Sequence, residues 1–186
     1  TFSRRHVPLA GKQQRPLRTA AVPQRVPQRR PRPRQQQEDR GPQAPISPKS
    51  SDQRPRKEIG AALQAEGCDA AVLTAPDSIA WLLNVRGQDV PNTPISLSYA
   101  ILRENSDLDM FIELQKVDDA TRAHLGNGVT IRPESELPDA LDEFANKKVL
   151  ADPTSASAWI FELLSRKQVE IVRRSDPCQL PKACKN

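Results

Sequence analysis

Several things are scarce in this 186-residue chain, and each scarcity excludes a class. It has 3 cysteines, too few and too odd a number for a disulfide framework. Free thiols and a reducing compartment, the cytoplasm, are therefore the expectation. Its strongest apolar run is Ile79-Ala80-Trp81-Leu82-Leu83, far short of the roughly 20 residues that span a bilayer. Arg4, Arg5 and His6 are followed by no apolar stretch, so no signal peptide is legible. The first residue is Thr1 rather than Met, which suggests a fragment or a processed piece.

The usual catalytic signatures are also missing. There is no His-Glu-x-x-His, Cys-x-x-Cys, Gly-x-Ser-x-Gly or phosphate-binding Gly-x-x-x-x-Gly-Lys-Ser/Thr run. Gly126-Asn127-Gly128 lacks the third glycine of a dinucleotide loop and follows a helix, so it reads as a helix-ending turn. His124 is the only histidine outside the N-terminal segment, too few for a transition-metal site, and reads as a surface residue. Asp118-Asp119 suit the positive end of a helix, and Asp107 suits a turn. Cys178 and Cys184 have lysines nearby but no base, so neither reads as a nucleophile. No catalytic residue and no metal ligand is assigned.

What is present is a sharp division of charge. Residues 1–57 carry 15 Lys and Arg against 3 Asp and Glu, a net of +12. Residues 58–186 carry 13 against 20, a net of −7. The high pI belongs to one segment, and a uniformly basic nucleic-acid-binding domain is excluded. Residues 1–53, rich in Pro, Arg and Gln, are expected to be disordered, because proline removes backbone donors and too little apolar surface offsets chain entropy. The segment could tether nucleic acid or another acidic partner. No aromatic after Phe2 interleaves with its basic residues to stack bases, which argues against nucleic acid.

From about Arg54 the pattern becomes that of a folded domain, expected over 54–175. Ile59, Ala62, Leu63 and Ala65 form a helical stripe ended by Gly67. Cys68–Thr74 reads as a buried strand. Thr74, Pro76 and Asp77 open a helix that carries Ile79, Leu82 and Leu83 and ends near Asn84. Ser96–Arg103 and Leu108–Leu114 flank a turn, as a hairpin should. A short helix over Val117–Leu125 and a strand at Val129–Ile131 follow. Leu137, Leu141 and Phe144 space another helix, and Lys148–Ala151 a strand. Asp152-Pro153 cap a helix expected to bury Trp159, Ile160, Leu163 and Leu164, and Val169–Val172 close the domain. Residues 176–186 read as a linker. The alternation implies an α/β fold, a mixed three-layer sheet flanked by helices.

A polar loop bearing glycine and proline follows the most apolar helix directly, and Asn84, Arg86 and Asp89 there are candidates for an interface or ligand rim. Hydrogen bonding within the loop accounts for them equally well.

At this point the sequence resembles a known family. Ser78-Ile79-Ala80-Trp81-Leu82-Leu83-Asn84-Val85-Arg86-Gly87-x-Asp89-Val90-Pro91 is similar to the long-form Xaa-Pro aminopeptidases of the creatinase/prolidase family. Pro94, Tyr99-Ala100-Ile101-Leu102, Leu108-Asp109-x-Phe111-Ile112 and Lys116-Val117 continue the likeness, and Pro181–Asn186 resembles the junction into the family's catalytic domain. The resemblance implies a creatinase N-terminal-domain-like fold, specifically the second such domain of a longer subunit. It implies a parent enzyme that releases the N-terminal residue from Xaa-Pro peptides with two divalent metal ions, usually manganese. Those metal ligands belong to the catalytic domain and map onto no position here. The chain alone is thus expected to be catalytically silent and to hold no metal. It would shape substrate access or dimer contacts, with the catalytic domain or a homodimer mate as partner and no membrane partner. Residues 1–53 do not resemble the family's first domain.

Overall fold

The computed structural model describes residues 46–48 and 53–184. The disorder expected of residues 1–45 and 49–52 lies outside the described residues, as do the last two positions of the expected linker. Among the described residues the elements run in chain order as follows. They are β1 (Ser47–Pro48), α1 (Arg54–Ala65), β2 (Ala70–Leu73), α2 (Pro76–Leu83), β3 (Val85–Arg86), β4 (Tyr99–Arg103) and β5 (Leu108–Phe111). Then come α3 (Asp119–Leu125), β6 (Val129–Arg132), α4 (Leu137–Ala140), β7 (Lys148–Ala151), α5 (Ala158–Arg166), β8 (Glu170–Arg173) and α6 (Gln179–Ala183).

Six strands form one mixed sheet in the order β6-β5-β4-β2-β7-β8. The β2–β4 and β4–β5 pairs are antiparallel and the other three are parallel. Every residue of β2 and β5 is buried. A strand reads as an unbroken apolar run when both faces of its sheet are covered, and the side chains divide accordingly. Ala71, Leu73, Ala100, Leu102, Leu108 and Met110 pack with Ile59 and Leu63 of α1 and Ile79 and Leu82 of α2. Ala70, Val72, Ile101, Phe111 and Val149 face the other way, against Leu137, Leu141, Phe144, Ile160 and Leu164. The expected helix-flanked mixed sheet is thus present. Each fully buried large side chain contributes about 1.5–3 kcal/mol.

Several local expectations differ from the structure. The segment from Leu137 is not one helix: α4 opens at Leu137-Pro138 and tightens into a 3₁₀ turn over Leu141–Phe144. Three residues per turn keep Leu141 and Phe144 on one side, and both stay buried. The helix expected after Asp152 starts only at Ala158. Asp152 instead accepts hydrogen bonds from the Thr154 N–H and hydroxyl, at 2.8 and 2.7 Å, closing a turn. Ile160 and Leu164 then centre the buried stripe, which leaves Trp159 on its flank, 48% exposed rather than buried.

Two segments expected to be unstructured contribute to the core. Ile46 is 1% exposed, its carbonyl accepts from the Thr121 hydroxyl at 2.8 Å, and β1 pairs with β3. At the other end, Cys178 is fully buried and α6 follows it. The Asp176 N–H donates to Asp152 at 2.9 Å, and Lys182 bonds Asp77 and Ser78 of α2.

Candidate functional site

The loop after α2 begins with a forced reversal. Asn84 takes the left-handed conformation, φ 50° and ψ 47°, that ends α2, a role asparagine fills with little penalty. Val85 then drops into the core opposite Pro48, and Arg86 stands exposed opposite Ser47. Gly87 passes so close to the returning chain that a Cβ would lie 2.6 Å from the Ile95 carbonyl oxygen and the Ser96 Cβ. Only glycine permits that approach.

Asp89 closes the loop. Its Oδ2 accepts from Lys116 Nζ at 2.8 Å, the Leu97 N–H at 2.7 Å and the Ser96 hydroxyl at 3.0 Å. Both charged side chains are withdrawn from water. Burial pushes the Asp89 carboxyl up, but the hydrogen bonds from Lys116, Leu97 and Ser96 and the lysine's charge outweigh it. The group settles below the ordinary carboxylate value. Glu113 stands 3.7 Å from Lys116 on the exposed side. Glu134 is raised, mainly by burial, with Lys116 opposing and Glu113 and Asp89 adding to the rise.

The three predicted rim residues therefore take different positions. Arg86 is exposed, beside an open depression of about 630 Å³ that Gln88, Pro91, Asn92 and Pro94 help to line. Asp89 points inward to Lys116, and Asn84 shapes the backbone. Lys116 escaped the reading from residue chemistry. The available signal was a lysine set between Leu114 and Val117, and the family likeness at Lys116-Val117.

Three of the smaller expectations hold and one does not. Asp118 caps α3 by accepting from the Thr121 N–H at 2.7 Å, and this hydrogen bond holds its carboxyl below the usual value. Asp107 serves the β4–β5 turn with Asn105. Gly126 ends α3 at φ 68°. His124, expected to be a surface residue, is instead half-buried, because its Nε2 donates across to the Leu83 carbonyl at 3.1 Å. Among the described residues, no three His, Cys, Asp or Glu side chains converge as a metal site. The two-metal centre implied by the resemblance thus finds no donor set in them.

The model of the Creatinase/Prolidase N-terminal domain matches residues 32–186. The chain belongs to that family. A creatinase/prolidase N-terminal domain of this kind is similar to Xaa-Pro aminopeptidase 1 of Dictyostelium discoideum, 33% identical over 132 residues, which are 70% of this chain and 20% of that protein. It is 40% identical over 86 residues to a probable Xaa-Pro aminopeptidase P of Tuber melanosporum, 46% of this chain and 14% of that one. Its fold is similar to the crystal structure of the X-prolyl aminopeptidase of Caenorhabditis elegans, described as a cytosolic enzyme with a di-nuclear active site. That match has a TM-score of 0.66 at 24% identity and covers 77% of this chain and 25% of the other. The chain thus spans a fifth or less of the length of these two curated relatives.

Proposed function

We propose that this domain is a supporting part of a longer Xaa-Pro aminopeptidase, in which a separate catalytic domain holds the metals and cleaves the bond before proline. The domain itself occupies residues 54–175, joined by β1 upstream, and the segment 176–186 leads on toward the catalytic domain. Its role is to border the route by which substrate reaches the catalytic domain, or to contact a second subunit. The cytoplasm is the compartment that fits such an enzyme.

The observation that carries this reading is the contrast between Arg86 and Asp89. A buried ion pair fixes a loop whose outward feature is a cation beside an open, polar depression. A loop held this firmly presents Arg86 at low entropic cost, as a rim or contact residue requires. Asn84 and Asp89 set the shape of that rim, and Arg86 meets the peptide or the partner.

An immunoblot of the source cells with an antibody against the folded domain tests the placement. The expected band is several times heavier than the 20.7 kDa of this chain. A single species near 20.7 kDa would refute it. In the longer protein, Arg86→Ala is expected to raise KM for Xaa-Pro peptides with kcat little changed. An unchanged KM together with unchanged subunit association would remove Arg86 from the rim.

A further inference from the structure

The outward apolar side chains of the domain gather at one end of the sheet. Among the described residues four large hydrophobic side chains, Leu97, Leu114, Trp159 and Leu180, are between 38 and 74% exposed. Strands β2, β5, β6, β7 and β8 run one way and β4 runs against them. The end where those five strands finish is therefore also the end where β4 begins. Leu97 lies just before β4 and Leu114 just after β5. The β4–β5 register, with Tyr99 opposite Phe111, brings those two together. Trp159 is in the first turn of α5, which follows β7, and Leu180 in the first turn of α6, which follows β8. The opposite end carries none of the four. Its turns at 66–69, 104–107, 126–128 and 145–147 consist mostly of glycine, asparagine and charged residues. One exposed apolar side chain is ordinary, but four sharing one end of a sheet mark a surface that meets another protein surface.

The loops at that end are tied down before anything covers them. Asp89 holds the Leu97 N–H at 2.7 Å and the Lys116 ammonium, close to Leu114, at 2.8 Å. The Thr74 hydroxyl donates to the Ser155 hydroxyl at 3.1 Å, joining the exits of β2 and β7. Asp152 holds the Asp176 N–H, and Lys182 bonds Asp77 and Ser78, which fixes α6 on the first turn of α2. Docking onto a prearranged surface loses little ordering entropy. The chain also reaches its last described residue here: the Cys184 N–H donates to the Leu180 carbonyl, one helical turn back.

We propose, resting on the placement in a longer subunit given above, that this end of the sheet is the docking face for the catalytic domain, with Leu97, Leu114, Trp159 and Leu180 buried in the contact. A catalytic domain that continues from the segment 176–186 is tethered beside Leu180 by its own chain. A short connection of that kind imposes a high effective concentration, whereas a second copy of the domain has to be recruited from solution. The same contact sets the Asp89-bound loop, with Arg86 near its start, against the border of the catalytic domain.

Hydroxyl-radical footprinting read by mass spectrometry, on the 186-residue chain and on the longer protein, tests the docking face. All four residues are expected to be oxidised readily in the 186-residue chain. In the longer protein their oxidation is expected to fall several-fold. Leu180→Glu, at the most exposed of the four, is expected to leave the Tm of the 186-residue chain unchanged and to raise oxidation of Leu97, Leu114 and Trp159 in the longer protein. Equal oxidation of all four in both proteins would overturn the docking face and leave the placement standing, since the immunoblot decides the placement separately. Sedimentation of the 186-residue chain as a dimer that Leu180→Glu dissolves would also overturn it, by giving this end of the sheet to a second copy.

Discussion

Asp89 and Lys116 meet at 2.8 Å with side chains 5% and 4% exposed, although 27 positions separate them in the chain. The pair joins the loop after β3 to the 3₁₀ turn after β5, which runs over Leu114–Lys116. Removing one partner strands the other charge in a place it cannot leave. Lys116→Met and Asp89→Asn are each expected to cost about 3–5 kcal/mol by chemical denaturation. The double variant is expected to cost clearly less than the sum of the two. Additive losses would show that the two groups act separately.

Gly87 supports the same loop by having no side chain. A methyl group there meets the backbone and Cβ of the 95–96 segment, which cannot swing aside as a flexible side chain would. Gly87→Ala is expected to lower stability by about 1–3 kcal/mol. It is also expected to broaden the amide resonances of residues 86–97 in a 15N spectrum. A neutral substitution would mean that the strand entry has slack.

Acid should unlock the C-terminal segment. Burial raises the Asp152 carboxyl, but hydrogen bonds from the Thr154 N–H, the Asp176 N–H and the Thr154 hydroxyl outweigh it, so its folded pKa lies below the ordinary value. A depressed carboxylate adds stability that is complete above its unfolded pKa, about 3.9, and is lost as pH falls through the folded value. Asp89 and Asp118 have the same sign. Stability is therefore expected to fall as pH drops below about 4. Asp152→Asn should flatten that slope while lowering stability at neutral pH. An unchanged slope in the variant would contradict the clamp.

The cysteines should separate by reactivity. Cys184 is exposed, whereas Cys68 and Cys178 are buried. Burial raises both buried thiols, Cys178 very strongly, with Asp176 adding to the rise. Iodoacetamide at pH 8 is expected to label Cys184 first, leaving the other two until denaturant is added, as read by mass spectrometry. Rapid labelling of Cys178 would mean that the 176–184 segment comes away from the domain.

The sheet was legible because its strands are buried on both faces. Ala70–Leu73 and Leu108–Phe111 have no polar alternation to confuse the period, apart from Asp109. The turn at Asn105-Ser106-Asp107 marks the hairpin plainly. Other features lay beyond local pattern. The two-residue strand Ser47–Pro48 sits in a proline-rich run and gains its place from distant partners, Ser47 opposite Arg86 in β3 and Ile46 held by Thr121 75 positions on. Asp152 has the chemistry of a helix cap, yet its acceptors serve a turn and the chain 24 positions on. The inward turn of Asp89 is equally non-local, since a carboxylate in a Gly/Pro loop looks like a surface group until Lys116 is placed opposite it. Trp159 shows the limit of period counting: one residue off the stripe's centre, at a helix's first turn, is enough to face water.

The proposed place in a longer Xaa-Pro aminopeptidase requires that its metals lie outside this domain. Equilibrium dialysis of the 186-residue chain against manganese, with an Xaa-Pro peptide assay on the same sample, tests it most directly. The account predicts no stoichiometric manganese and no released N-terminal residue. Two manganese ions per chain accompanied by peptide cleavage would contradict it.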